Sequence, residues 1–191
     1  MLYLFHLDVT LVTSRCQIDF GGKSYGYYKK TSYVKKQITN ALLRLLKEKE
    51  LKDISISEIT TTAQVSRISF YRNYDDKDTI IKEYMYLTLS EWNKDNPKNS
   101  EHTEDEILGD IFAYITEYKD FYLLLRDRGI FYFLKDIIMD ALGPKAEYPN
   151  FGAYTAAFIA NGIYGWIEEW FLRGMQESGE EMTRLLKNRK L

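Results

Sequence analysis

Residues 54–78 read ISISEITTTAQVSRISFYRNYDDKD, and this stretch carries two helix starts in quick succession. Ser55 with Glu58 forms an S-x-x-E capping box, and Ile54 and Ile59 stand where a hydrophobic staple packs across such a box. That signature opens a helix of about eight residues running through Thr62 and Ala63. A second cap follows at Ser66, flanked by Val65 and Phe70 at staple spacing. It opens another short helix that ends near Tyr74. Asp75, with Asp78 three residues on, starts a longer helix whose apolar positions Ile80, Ile81, Tyr84, Met85, Leu87 and Leu89 carry it to about Trp92. Upstream, Val34, Ile38, Ala41, Leu42, Leu45 and Leu46 recur at helical spacing with lysines on the other face, giving an amphipathic helix that ends near Lys49. Two short helices joined by a tight turn, braced by a longer helix on each side, make a helix-turn-helix. Its expected core is Ile56, Ile59, Val65, Ile68 and Phe70.

The second helix of such a motif enters the DNA major groove with its N-terminal residues toward base edges. Ser66 opens that helix here, and Arg67, Ser69 and Asn73 are the candidate base readers. Arginine pairs bidentately with guanine, and asparagine does the same with adenine. Tyr71 is placed to give its hydroxyl to a backbone phosphate. Lys77, a cation in the first turn of a helix, opposes the helix dipole unless an anion docks there too. The competing reading is a charged helix face that is merely solvated.

At these residues the chain resembles the tetracycline-repressor (TetR) family. The resemblance spans roughly residues 31–83 and lies in Ile56, Ile59, Ala63, Val65-Ser66, Phe70-Tyr71, Tyr74 and Lys77 before an aliphatic pair. It implies a DNA-binding domain followed by a helical effector and dimerisation domain. It also implies phosphate contacts at Tyr71 and Lys77, with Arg67, Ser69 and Asn73 facing bases. Gln64 departs from the pattern, which has glycine in the turn. If the turn needs a left-handed backbone, Gln64 carries a strain on the order of 1 kcal/mol.

The remaining chain sorts around this motif. Residues 1–28 have no helical period, with breaks at Gly21-Gly22 and Gly26; they read equally as a strand-like extension or as an over-long gene start. Residues 29–83 form the expected DNA-binding domain, and 84–191 the expected effector-binding and dimerisation domain. Asn93–Glu101 is polar and reads as a linker. Thr103 with Glu106 caps the next helix, which covers Ile107 to Tyr118. Shorter helices hold Phe121–Leu125 and Phe131–Leu142, a long one runs from Phe151 to Leu172 with Gly174 as its stop, and Ser178 with Glu181 caps the last. No β-alternation of useful length appears after residue 30, so the expected fold is all-α.

In the long helix, Ala156, Ile159, Ile163, Trp166 and Trp170 repeat at spacings of three and four, beside Gly162 and Gly165. That stripe is too bulky to leave in water, and the expected homodimer interface is Ile159, Gly162, Ile163, Trp166 and Trp170. An ordinary core helix is the alternative. Phe112, Tyr118, Tyr122, Phe131, Phe133, Tyr154 and Phe158 are candidate lining for a mostly apolar small ligand between helices, although aromatics at such spacing are more often plain core.

Composition narrows the function classes. A single cysteine, Cys16, excludes a disulfide framework and a multi-cysteine zinc site. The two histidines, His6 and His102, stand in no metal-ligand spacing, and there is no Gly-rich phosphate loop. No cofactor, no metal and no enzymatic activity are expected. No apolar run is long enough to span a membrane, and the expected location is the cytoplasm. The formal charge of −2 conceals an asymmetry. Residues 23–83 hold thirteen Lys/Arg against eight Asp/Glu, whereas 84–191 hold twelve against eighteen. A mildly basic front and an acidic rear suit two jobs. The expected protein is a homodimeric regulator, most simply a repressor, binding a palindromic operator in double-stranded DNA. The rival from another class is a coactivator of the same fold that works through protein–protein contacts.

Overall fold

The computed structural model describes residues 33–95 and 104–187, and every element in them is helical. The expectations for residues 1–28, for the Thr103 cap and for the linker beyond Asp95 lie outside the described residues. The elements are α1 (Tyr33–Leu46), a single 3-10 turn (Leu51–Asp53), α2 (Ile56–Thr62), α3 (Arg67–Tyr71) and α4 (Lys77–Asp95). After these come α5 (Glu104–Glu117), α6 (Lys119–Asp127), α7 (Tyr132–Leu142), α8 (Asn150–Leu172) and α9 (Gly179–Lys187). The all-α expectation holds. Helix α4 runs on to Asp95, so the first residues of the expected linker are helical.

Two compact units divide the chain. The first combines α1–α4 with residues 120–133, which include most of α6. Its core is Ile38, Leu42 and Leu46 of α1, Ile59 of α2, Phe70 of α3, and Ile80 and Ile81 of α4, all buried. The capping box forms as expected: Glu58 N–H donates to Ser55 Oγ, and the Glu58 carboxylate accepts from Ser55 N–H at 2.9 Å. The 3-10 turn between α1 and α2 had no signal in the sequence. Helix α4 is capped by Asp76, not Asp75: Asp76 Oδ1 accepts from both Thr79 N–H and Thr79 Oγ at 2.7 Å.

Residues 120–133 belong to this unit through specific contacts. Arg128 donates from Nε and Nη2 to the carbonyls of Leu46 and Lys47, the orphan acceptors at the C-terminus of α1. Phe121 meets Tyr84 of α4 edge-on, with ring centroids 5.0 Å apart.

The capping box has a measurable pH signature. The hydrogen bond from Lys49, then those from Ser55 N–H and Oγ, pull the Glu58 carboxyl down to about 2 from its ordinary 4.5. A depressed carboxyl stabilises the fold fully above its unfolded value and loses that contribution as pH falls through the folded one. Stability should therefore decline between about pH 4.5 and pH 2. In Glu58→Gln the decline across that window should be smaller, as measured by urea unfolding at stepped pH. An identical decline in both proteins would remove Glu58 as the source.

The second unit gathers described residues 104–119 and 134–187. Helix α9 packs on α5 so closely that a Cβ at Gly179 would meet Thr116 Oγ1 at 3.3 Å and the Phe112 carbonyl oxygen at 3.4 Å. Phe112 sets its ring edge-on to Trp170 at 5.5 Å, and the Trp170 indole donates to the Glu177 carbonyl at 3.1 Å. Helix α8 ends as expected at Gly174, whose φ of 83° lets Met175 N–H reach back to the Trp170 carbonyl. Ser178 and Glu181 form the expected cap of α9. Among the described residues, no helix is long and apolar enough to cross a membrane.

Candidate nucleic-acid interface

The turn between α2 and α3 is built by a residue in an unfavourable conformation. Gln64 has φ 55°, in the left-handed region, so the condition under which it carries strain is met. Val65 N–H then bonds the Thr60 carbonyl at 3.0 Å and Gln64 N–H the Thr61 carbonyl at 3.1 Å, which closes α2 with a Schellman motif. Ser66 follows as cap of α3, accepting from Ser69 N–H at 3.0 Å. The short helix is thus fixed at its start by hydrogen bonds and at its end by packing.

That packing is tight. Phe70 and Tyr74 are buried, with their rings 6.2 Å apart. The Tyr74 hydroxyl shares a 3.1 Å hydrogen bond with Thr39 of α1, and Lys35 of α1 stands 4.9 Å over its ring. Lys35 in turn pairs with Glu83 of α4 at 2.6 Å. Burial first, and the Glu83 carboxylate after it, push the Tyr74 phenol up to about 12 against the opposing Thr39 hydrogen bond. The phenol therefore stays protonated and keeps its link to α1 across the neutral pH range.

The expected DNA-facing residues occupy varied settings. Tyr71 is 58% exposed. Arg67 is exposed, and its guanidinium donates to Ser57 Oγ of α2 at 2.9 Å, bridging the two motif helices. Ser69 Oγ lies 3.0 Å from Ser66 Oγ, and the Asn73 amide donates to the Ser69 carbonyl at 2.7 Å. Asn73 thus closes the end of α3 within its own motif.

Lys77 departs furthest from expectation. Its ammonium donates to the carbonyls of Leu51, Lys52 and Ile54, at 3.3 Å for Lys52 and 2.8 Å for Ile54. An ammonium has three donors, and all three meet the 3-10 turn and the approach to α2. The structure gives Lys77 a clamping task where an anion contact was expected. Ile68 also departs. Expected in the core, it is 67% exposed, because α3 turns Phe70 inward and Ile68 away from it.

In the second unit the expected dimer stripe divides. Ile159, Ile163 and Trp166 are half-buried, and Gly162 is exposed. Trp170 is 2% exposed and belongs to the core with Phe112, which corrects its placement at an interface. The outward face of α8 instead carries Phe151, Tyr154, Phe158 and Leu172, with Gly162 and Gly165 facing open space. Of the expected ligand-lining aromatics, Phe112 is buried against Trp170, and half-buried Tyr118 meets Tyr114 with the rings tilted and 5.1 Å apart. Tyr122, Phe131 and Phe133 are buried in the unit that holds α1–α4. Tyr154 and Phe158 are exposed on α8, 72% and 64%, so they line no enclosed cavity as it stands.

Two comparisons with known proteins found similarity to transcriptional regulators. A TetR-type family model described as a transcriptional regulator C-terminal region matches residues 102–189, which cover α5–α9. The chain is also 27% identical over 149 residues to YxbF of Bacillus subtilis (strain 168), described as an uncharacterized HTH-type transcriptional regulator. That match takes in 70% of this chain and 39% of YxbF, so the chain spans well under half of that relative's length.

Proposed function

We propose, on the premise that the chain belongs to the TetR family of transcriptional regulators, that it binds duplex DNA through α3 and represses transcription as a ligand-responsive homodimer. The observation that carries the reading is the two-sidedness of α3. One face is anchored by Phe70 and Tyr74, while Arg67, Ile68, Tyr71 and Arg72 are held out to solvent. A five-residue helix has no stability of its own, and one seated this firmly serves to present a surface. The partner is a palindromic operator in double-stranded DNA, with half-sites about 34 Å apart for the two recognition helices.

The homodimer reading is supported by the outward face of α8, where Phe151, Tyr154, Phe158 and Leu172 leave a large apolar stripe in water. Gly162 and Gly165 on the same helix allow a second helix to approach closely. A mostly apolar small molecule taken up among the helices of the second unit would alter the separation of the two recognition helices, and the operator would be lost.

The test is selection of random duplex DNA on the purified chain at about 150 mM salt, where non-specific binding is weak. An enriched palindrome is expected. Salt-sensitive binding without enrichment would reject the reading and favour a coactivator that works through another protein.

A further inference from the structure

The outer face of α3 carries an aliphatic side chain that the protein itself leaves uncovered. Ile68 stays outside the core of its own unit, in which Ile38, Leu42, Ile59, Phe70 and Ile80 are all buried. Three polar side chains near it are occupied, as Arg67 holds Ser57, Ser69 meets Ser66, and Asn73 holds the Ser69 carbonyl, while Arg72, four residues on, is exposed. Tyr71, three residues on from Ile68, lies on the same side of the helix and is also exposed. Up to Arg72, the part of α3 offered outward is therefore more apolar than the residue types Arg, Ser and Asn suggest. Within the major groove, the apolar feature that distinguishes one base pair from another is the 5-methyl group of thymine.

We infer that Ile68 is a specificity-determining residue that packs on the 5-methyl group of one thymine in each operator half-site. The inference rests on the DNA-binding reading above and deepens it by naming the chemistry of one contact. Arg67, braced against α2, keeps α3 at a fixed angle while Ile68 reads the methyl group.

The test uses the full chain and the duplex enriched by selection, with each thymine of the half-site replaced in turn by uracil. Uracil keeps the hydrogen-bonding edge and lacks only the methyl group. At one position the wild type should lose about fourfold in affinity per half-site, the value of one buried carbon group. Ile68→Ala should bind the thymine duplex more weakly and should no longer distinguish thymine from uracil at that position. Because Ile68 is exposed, Ile68→Ala should melt at the wild-type temperature, and this is checked alongside. Wild-type indifference to uracil at every position, or continued discrimination by Ile68→Ala, overturns the inference and leaves DNA binding standing. Failure to enrich any duplex overturns both, and shows itself before any uracil is introduced.

Discussion

Phe70→Ala unfolds the unit that holds α1–α4 under conditions in which the wild type is folded. Phe70 is wholly buried, and it is the one side chain of the short helix α3 that is buried. Truncating a buried phenylalanine to alanine costs about 3–5 kcal/mol. A domain of this size has a total stability of about 5–15 kcal/mol, so the loss takes a large share of it. Tyr71 rests edge-on against Phe70 at 5.4 Å, so the outward surface of α3 is disturbed along with the core. Urea unfolding followed by circular dichroism should show the midpoint shifted sharply down, and operator binding should vanish with it. A midpoint within error of wild type would mean that something other than Phe70 seats α3.

The second large effect is expected at Lys77→Met, which keeps the aliphatic stem and removes the ammonium. The carbonyls of Leu51, Lys52 and Ile54 lose their shared donor, and the Ile54 carbonyl lies directly before the Ser55 cap of α2. Charge-assisted bonds of this kind are strong, but water can reach a half-exposed site and recover part of the loss. The net destabilisation should be on the order of 2 kcal/mol. DNA affinity should fall because α2 and the turn lose their support. The dependence of affinity on salt separates this clamp from a phosphate contact. A clamp leaves the slope of log affinity against log salt as in the wild type, whereas each phosphate contact removed lowers it by about 0.9. A reduced slope would return Lys77 to the DNA interface.

These two residues show where the sequence could be read and where it could not. Signals confined to one turn were legible. Ser55 with Glu58, Ser66, Gly174 and Ser178 with Glu181 each named a helix end that forms as expected, because a cap is made within three or four residues. Gln64 is a different case: its left-handed backbone was raised only as a condition, through the resemblance to a family with glycine at that place, and the structure meets the condition. Contacts that depend on distant residues were hidden. Lys77 finds its carbonyls about twenty-five residues upstream, and nothing in YDDKD announces them. The outward turn of Ile68 was equally hidden, because five residues are too few for a hydrophobic period to point a direction. Helix α8 posed the opposite difficulty: apolar on nearly every side, it gave a stripe that the structure divides, with Trp170 in the core and Ile159, Ile163 and Trp166 only half-buried.

The grip of Arg128 on the end of α1 bears on how such a regulator can be taken apart or recombined. A module of α1–α4 cut from this chain just after α4 would leave the carbonyls of Leu46 and Lys47 without their donor and Tyr84 without Phe121. In sequence the module looks like a detachable N-terminal cassette. In space it borrows a stretch from further along, residues 120–133, and a chimera that moved α1–α4 to another effector domain would have to bring a substitute for that stretch. If α3 reads DNA as proposed, changing residues on α3 is therefore an easier route to a new specificity than swapping the whole cassette.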